Sequence, residues 1–459
     1  MSGGQVSYMP TDGLCYDPSV EHYWDEKALQ KEITRVFEVC HGCRMCFKFC
    51  DSFPDLFSFI DDRHDGDVRK LTPEETGQVL GECFQCKLCE VQCPYTPRDG
   101  HEFQLDFPRL VHRWKAVQAR KSGIPFRDRL LGNPDRAASL ARKSLGLANR
   151  MNRVRLHRWF LEKLAGIHRD KLLPEFAPST FDRWAGDRGL DRVEEPEAVL
   201  FPTCYVQHNE PSLGRDAVEV LERNGVRLGC PAGQRCCGMP AWEHGDLETL
   251  RRHARHNLDL LMPHVERGAR VLAINPTCSM MMRREYPELL AGEDRERAAR
   301  LAEAVQDPCE YLWSLRDQER FNTDFRSTPG PVACHAPCHL RAQSVGFRGR
   351  DLIRKIPGAR PSMTLECCGH DGTWAMKVEG YEPSIRIGQR AFKGMSSAGA
   401  EVWSTECPLA ALQFAQHAGI RPLHPLSILA RAYRPDGFPT PVPEPEAGPE
   451  SGASAEGAA

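Results

Sequence analysis

Hydrophobic and polar positions in the C-terminal half of the chain predict alternating strands and helices. Short apolar runs, each typical of a buried strand, lie at 197–201, 226–228, 270–274, 331–334 and 400–403. Between the first two runs, apolar residues recur at helical spacing and stop before Asn224 and Gly225, a typical helix end. Strands that alternate with helices indicate parallel α/β modules.

The 20 cysteines divide this chain of 459 residues into regions. Nine cysteines lie in residues 1–105, none in 109–193 and eleven in 196–433. The N-terminus has no basic segment followed by an apolar run, which predicts a protein that stays in the cytoplasm. In that reducing compartment, clustered cysteines more often bind metal or carry out redox chemistry than form disulfides.

Two cysteine runs near the N-terminus share the spacing C-x2-C-x2-C-x3-C. The first run comprises Cys40, Cys43, Cys46 and Cys50, and the second comprises Cys83, Cys86, Cys89 and Cys93. This is the spacing of bacterial two-cluster ferredoxins, in which the fourth cysteine of each run ligates the other cluster. The spacing therefore predicts two [4Fe–4S] clusters.

The predicted ligands cross between the two runs. Cys40, Cys43, Cys46 and Cys93 are expected to hold the first [4Fe–4S] cluster, and Cys83, Cys86, Cys89 and Cys50 the second. The alternative is structural zinc, but zinc sites usually combine two cysteine pairs, not a triplet with a distant fourth ligand. Asp51 stands where the ferredoxin run would place proline, and the long interval before Cys83 predicts an insertion between the loops.

A second cysteine pattern occurs twice in the C-terminal half. Cys204, Cys236, Cys237 and Cys278 in one part match Cys338, Cys367, Cys368 and Cys407 in the other, and glycine follows each adjacent pair. Adjacent cysteine side chains diverge, so they suit a polynuclear centre better than a single tetrahedral ion. The repeat predicts one or two further iron–sulfur clusters, with structural zinc as the alternative.

This arrangement resembles the CCG family of iron–sulfur oxidoreductase subunits related to heterodisulfide reductase. The resemblance rests on segments such as Phe201-Pro202-Thr203-Cys204, Cys236-Cys237-Gly238-Met239-Pro240 and His335-Ala336-Pro337-Cys338-His339. Family members include the iron–sulfur subunits of anaerobic glycerol-3-phosphate dehydrogenase (its C subunit) and of glycolate oxidase. The segment from Cys40 to Cys43, with Asp51-Ser52-Phe53-Pro54, resembles a subgroup with a rubrerythrin-like partner.

The chain departs from the fullest family pattern at one position in each module. That pattern ends in Cys-x-x-Cys, whereas Met281 and Ala410 stand at the last position here. The departure argues against the non-cubane cluster of heterodisulfide reductase, and hence against direct disulfide cleavage at a CCG cluster, the alternative function. Four thiolates per module still suffice for an ordinary [4Fe–4S] cluster or for zinc.

The resemblance and the composition together predict the following architecture: an α plus α/β protein with a helical ferredoxin-like domain followed by two duplicated Rossmann-like CCG modules. The expected ranges are 1–108 for the two-cluster domain, 109–195 for a basic helical linker, 196–325 and 326–434 for the CCG modules, and 435–459 for a disordered tail. Between residues 109 and 193, 20 Lys and Arg face 8 Asp and Glu. This segment is either a solvated helical face or a surface for an acidic partner or an anionic membrane.

No G-x-G-x-x-G or phosphate-binding loop accompanies the cysteines, so no flavin, nicotinamide or nucleotide site is predicted and no catalytic residue can be named. The chain is expected to relay electrons between a flavin dehydrogenase subunit and a quinone or redox-protein acceptor. A rubrerythrin-like redox partner and peripheral contact with the inner face of the cell membrane are further expectations. Sparse aromatic residues in the basic segment argue against nucleic acid.

Overall fold

The computed structural model describes residues 6–443, and its N-terminal part is helical. Four helices form this part: α1 (Glu26–Cys43), α2 (Ser52–Ser58), α3 (Pro73–Gly81) and α4 (Leu88–Gln92). The Asp25 side chain caps α1 by accepting hydrogen bonds from the amides of Lys27 and Ala28. The buried face of α1 packs into a core that also contains Phe53 and Phe107. Helices α2 and α3 occupy the predicted insertion between the two cysteine runs.

Six helices connect this domain to the α/β part. They are α5 (Phe107–Ser122), α6 (Phe126–Leu131), α7 (Pro134–Lys143), α8 (Leu147–Asn152), α9 (Arg155–Ala165) and α10 (Phe181–Asp187). Helix α5 is half buried, and the guanidinium of its Arg113 donates to the backbone carbonyls of Gly13, His22 and Tyr23. The segment after α5 contains these further helices, and α5 itself belongs to the N-terminal core.

The first α/β module contains a four-stranded parallel sheet in the order β2-β1-β3-β4. Its elements are β1 (Ala198–Phe201), α11 (Thr203–His208), α12 (Pro211–Arg223), β2 (Leu228–Gly229), α13 (Met239–Glu243), α14 (Leu247–Val265), β3 (Arg270–Ala273), α15 (Pro276–Met280), α16 (Tyr286–Leu289), α17 (Glu293–Ala304), β4 (Val305–Gln306) and α18 (Pro308–Asp317). A π-helical segment, Met281–Glu285, joins α15 to α16. All four residues of β1 are buried, which explains its uninterrupted apolar sequence.

The second α/β module contains a three-stranded parallel sheet in the order β7-β6-β8. Its elements are β5 (Ser327–Thr328), β6 (Pro331–His335), α19 (Cys338–Gln343), α20 (Arg348–Ile353), β7 (Arg360–Thr364), α21 (Val378–Ser397), β8 (Val402–Thr405), α22 (Pro408–His417), α23 (Pro425–Ala432) and β9 (Thr440–Pro441). The two modules share one hydrophobic core, because α12 of the first packs against α23 of the second.

The predicted combination of a helical N-terminal part with parallel α/β modules is confirmed. Each predicted strand overlaps an observed one, although β2 and β8 lie one to two residues later than predicted. Strand β7 was not predicted, since its sequence is polar and only partly buried. Residues 435–443 belong to the folded module and not to a tail: Phe438 is buried and β9 pairs with β5. From residue 444 onward the predicted tail lies outside the described residues.

Parallel strands place their carboxyl ends at the same edge of a sheet. In each module, the cysteines lie at this edge of its own sheet. Cys204 and Cys278 follow β1 and β3, and the adjacent pair Cys236–Cys237 follows β2. The second module repeats this placement after β6, β7 and β8. Within residues 6–443, no helix is both long and apolar enough to cross a membrane.

Candidate functional site

Five of the N-terminal cysteines line a cavity between α1 and α4. They are Cys40, Cys43, Cys46 and Cys93, together with Cys89 of the second set, and the remaining wall is mainly apolar. Burial, followed by the neighbouring thiols of Cys46, Cys93 and Cys43, raises the pKa of Cys40 well above its ordinary value. The cavity therefore brings together the four cysteines expected from the crossed ferredoxin pattern.

A second cavity is lined by the four cysteines expected to hold the second cluster. They are Cys50, Cys83, Cys86 and Cys89, again among phenylalanine side chains, and Cys89 lines both cavities. Burial and the adjacent Cys83 thiol raise the pKa of Cys50. The two cavities are neighbours: the Sγ atom of Cys46 lies 3.9 Å from the carbonyl oxygen of Cys89.

A left-handed residue follows the second cysteine of each run. Arg44, after Cys43, has φ 56°, and Lys87, after Cys86, has φ 59°, so both residues are left-handed. Alternation of right- and left-handed residues turns successive amide groups toward one side, which suits an anionic group in the concavity. The two runs share this one feature, although Cys40 and Cys43 lie at the end of α1 whereas Cys83 and Cys86 precede α4.

The four cysteines of the first module form a continuous group. Each thiol is close enough to the next to shift its pKa, in the order Cys204, Cys236, Cys237 and Cys278. Gly238 follows the adjacent pair with φ 89°, a conformation that favours glycine. The hydroxyl of buried Tyr286 donates to the carbonyl oxygen of Cys237 over 2.8 Å and fixes the backbone of this loop.

The second module brings its four cysteines to an equivalent loop edge. The Sγ atoms of Cys338 and Cys367 are 3.8 Å apart, and Cys407 is the N-cap residue of α22. Cys367 packs with the N-terminal core, whereas Cys368 packs with the core behind α21 and α22. The adjacent side chains thus diverge, as expected for ligands to different metal atoms.

Two buried histidines connect the cysteine loops. His335 lies 3.1 Å from the Thr405 hydroxyl through Nδ1 and 3.1 Å from the Glu366 carbonyl oxygen through Nε2, so it joins the loops of Cys367 and Cys407. His339 lies 2.9 Å from the Thr277 hydroxyl through Nδ1 and donates from Nε2 to the carbonyl oxygen of Gln85 over 3.0 Å. A single imidazole therefore joins the first module, the second module and the loop of Cys83 and Cys86.

The positions that lack a fifth cysteine are buried. Met281 is in the core of the first module with its neighbours Met280 and Met282, and Ala410 donates its amide to the Sγ atom of Cys407. Of the four cysteines outside both patterns, Cys230, Cys309 and Cys334 pack in the core shared by the two modules. These three behave as small apolar side chains.

The donor sets fit polynuclear iron–sulfur clusters. Thiolates are the ligands such clusters require, and each N-terminal set of four surrounds its own cavity. In the part of the chain that the structure describes, no group of three or more His, Cys, Asp or Glu side chains is arranged to hold a single metal ion. Because burial favours protonated thiols here, metal binding would release protons from them.

Comparison with known protein families matches these two kinds of site separately. Residues 39–96 match the 4Fe-4S dicluster domain family. Residues 198–283 and 332–415 match the CCG cysteine-rich domain family, one match in each α/β module. The chain contains one dicluster domain and two CCG domains. It is thus an iron–sulfur protein, as the cysteine patterns predicted.

The relatives of this dicluster and CCG protein are named for roles in the oxidation or utilization of small metabolites. The chain is 27% identical to the C subunit of anaerobic glycerol-3-phosphate dehydrogenase of Escherichia coli (strain K12) over 310 residues, which are 67% of this chain and 77% of the relative. It is 29% identical to lactate utilization protein A of Bacillus thuringiensis (strain Al Hakam) over 187 residues, which are 40% of this chain and 75% of the relative. The chain is therefore an iron–sulfur subunit homologous to the Escherichia coli dehydrogenase subunit, consistent with electron transfer.

The linker contributes residues to both CCG sites that sequence analysis did not identify. The Asp135 carboxylate, on α7, accepts a hydrogen bond from the Cys236 amide over 2.9 Å. Lys171, after α9, is buried against α22, the helix that Cys407 caps at its N-terminus. No local motif marks either residue, since both lie among many charged residues of a segment without cysteines.

Proposed function

We propose that this chain is the electron-transfer subunit of an oxidoreductase, relaying electrons from a flavin dehydrogenase subunit to a quinone or a redox protein. One observation carries the proposal: four sets of four cysteines lie next to one another. Cys46 of the first set contacts Cys89 of the second, and His339 joins the second set to both CCG sites. When bound, iron–sulfur clusters supply reversible one-electron chemistry.

We assign a separate group to each cysteine set. Cys40, Cys43, Cys46 and Cys93 hold one [4Fe–4S] cluster, and Cys50, Cys83, Cys86 and Cys89 hold another. Each CCG set holds one further cluster. The modules are Rossmann-like duplicates in this proposal, because three consecutive parallel strands of each have the same spatial order, β2-β1-β3 and β7-β6-β8.

The order of the sets supports a path through the protein. The first set lies nearest the surface, since Cys40, Cys43, Cys46 and Cys93 are partly exposed while Cys83, Cys86 and Cys89 are buried. Phe47, beside the first set, is 59% exposed. A redox partner thus reaches the first set most directly, whereas all four cysteines of the second set are buried.

Metal analysis of anaerobically purified protein tests the assignment. We expect about 16 irons per chain with equal acid-labile sulfide, four per set. The Cys50→Ser variant is expected to lose the cluster of the Cys83 set, whereas Cys230→Ser, outside both patterns, retains all the iron. About 8 irons with about two zincs would show that the CCG sites are structural and would contradict the four-centre relay.

The partner is proposed from the relatives. The name of the Escherichia coli relative describes a subunit of a dehydrogenase, and a dehydrogenase subunit that oxidises its substrate with a flavin would complement a chain with only one-electron sites. A rubrerythrin-like protein is the alternative partner. Turnover of a small substrate by the chain alone, or reoxidation of the reduced chain by a disulfide, would instead favour the heterodisulfide reductase-like activity.

We further propose that helices α6–α9 place the chain on an anionic membrane surface, near a quinone acceptor. Of 18 large hydrophobic residues exposed within residues 6–443, 12 lie between Phe126 and Leu172. They include Leu145 and Leu164, 95% and 81% exposed. Arginines such as Arg150 and Arg155 lie among them. Exposed apolar residues together with basic ones are typical of helices that lie in a membrane interface.

Sedimentation with lipid vesicles tests the membrane surface. We expect the chain to bind vesicles that contain phosphatidylglycerol, with binding weakened by salt because the arginines contribute through screened charge. The double variant Leu145→Asp/Leu164→Asp should bind at least tenfold more weakly. Leu365→Asp, at an exposed position of the second module, should bind like the unmodified chain. Equal binding by all three proteins would contradict the proposal.

A further inference from the structure

The linker places opposite charges beside the two CCG sites. Both sites have four cysteines at equivalent strand ends, so the cysteines alone do not distinguish them. The first site receives a carboxylate from Asp135 and the second an ammonium from Lys171.

The charge at the first site is well defined. Besides the Cys236 amide, Asp135 interacts with Nε2 of His208 over 3.1 Å. Nδ1 of that histidine lies 3.0 Å from a guanidinium nitrogen of Arg142. An arginine can only donate, so Nδ1 accepts and Nε2 donates to the Asp135 carboxylate. The hydrogen bonds from His208 and Cys236 outweigh burial and lower the pKa of Asp135.

The charge at the second site is buried. Lys171 is 2% exposed, and its Nζ atom donates to the side-chain oxygen of Gln413. The amide nitrogen of Gln413 reaches the Ser384 hydroxyl, and the carbonyl oxygen of Ser384 packs directly on Gly369, next to Cys368. No carboxylate within residues 6–443 forms an ion pair with Lys171. A buried ammonium without a carboxylate is costly unless another anion compensates it.

Cys368, a ligand of the second site, is close enough to Lys171 to interact with it electrostatically. Burial lowers the pKa of Lys171 to about 8, and the negative charge of Cys368 opposes this shift. Two further charges of opposite sign, Arg341 and Glu366, lie near Cys367, and their effects on the second site oppose each other. Burial raises the pKa of the nearby Asp371 well above its ordinary value, and the Lys115 ammonium opposes this shift. Lys171 is a buried cation of the second site.

We propose that the linker sets the two CCG sites at different reduction potentials, with Asp135 lowering that of the first site and Lys171 raising that of the second. A nearby anion disfavours an added electron and a nearby cation favours it, and both effects are strong in the low-dielectric interior. Between the two sites, electrons then collect at the second, which is joined through His339 to the dicluster domain. The inference rests on the proposed function, since it requires redox-active CCG sites.

A redox titration of the anaerobically purified chain, followed by electron paramagnetic resonance at pH 7, tests the inference. Dithionite supplies one electron to each site through mediators, and no proton transfer is required. Lys171→Met should lower the midpoint potential of one CCG signal by at least 59 mV. For a one-electron couple, this shift is a tenfold change in the reduction equilibrium constant. Asp135→Asn should raise that of the other signal by a similar amount. Asparagine can still accept from the Cys236 amide.

The controls separate charge from damage to the fold. Lys171→Gln removes the same charge and should shift the same signal in the same direction as Lys171→Met. Arg169→Met removes an exposed charge two residues away, which pairs with Glu162, and should leave both potentials unchanged. About 16 irons with unshifted potentials in the Lys171 and Asp135 variants would overturn the inference but leave the proposed function standing. About 8 irons, with no CCG signals, would overturn both the inference and the proposed function.

Discussion

Gly369→Ala is expected to destabilise the second CCG module by more than about 3 kcal/mol. Gly369 has φ 75°, and a Cβ atom placed there would lie 2.0 Å from the carbonyl oxygen of Ser384. It would also lie 3.1 Å from the amide nitrogen of Gly388. Both contacts are with the backbone of α21, so no side-chain rotation relieves them. Helix α21 must move away from the Cys367–Cys368 loop.

Thermal unfolding under anaerobic conditions, with iron content measured in parallel, checks this expectation. Gly399→Ala is the matched control, because Gly399 has φ 60° but no atom within 4 Å of a built Cβ. That variant should lose only the cost of a left-handed alanine, about 1–2 kcal/mol. Equal stability of the two variants would show that the contact with α21 is not a constraint on the loop.

Glu285→Gln is expected to destabilise the junction between the dicluster domain and the first CCG module by about 3–5 kcal/mol. Glu285 and Lys87 form an ion pair in which the side chains are 3% and 1% exposed. The Lys87 ammonium also lies 5.4 Å from the centroid of the Trp242 ring. Glutamine leaves this ammonium buried without a counter-charge. The apparent melting temperature should fall by on the order of 5–10 °C.

The matched control for this pair is Asp12→Asn. Asp12 pairs with Lys31 over 3.0 Å at 69% and 59% exposure, and exposed pairs contribute only about 0–1 kcal/mol. A second control replaces both partners, Lys87→Met/Glu285→Leu, and should recover much of the stability because no charge stays unpaired. If the Glu285→Gln and Asp12→Asn variants had the same melting temperature, the buried pair would not stabilise the junction.

The pH dependence of the Glu285→Gln effect has a defined sign. Burial alone would raise the pKa of Glu285, but the Lys87 ammonium outweighs it and holds the pKa below the ordinary value of 4.5. The carboxylate therefore contributes its stabilisation above about pH 4.5, and the contribution is lost as the pH falls through the lower pKa of the folded state. The difference in melting temperature between the variant and the unmodified chain should shrink in acid.

The cysteine spacings determined the metal chemistry by themselves. A run such as Cys83, Cys86 and Cys89 fixes its loop locally, because the ligands are two residues apart and the same left-handed residue recurs in both runs. The repeated Cys-Cys-Gly pattern likewise predicted equivalent sites, since parallel strands bring their following loops to one edge. The apolar runs predicted β1, β3 and β6 because burial on both faces of a sheet leaves no choice of side chain.

Only the tertiary structure decided how these sites are arranged and what surrounds them. The contact of His339 with Gln85 and Thr277 joins three loops that are far apart in sequence, and no local pattern encodes such a meeting. Asp135 and Lys171 act on cysteines about 100 and 200 residues away, respectively. Charge effects depend on distance and burial, which follow from packing and not from sequence neighbours. The sequence thus specifies which ligands the chain offers, and the packing of its linker specifies how the two CCG sites differ.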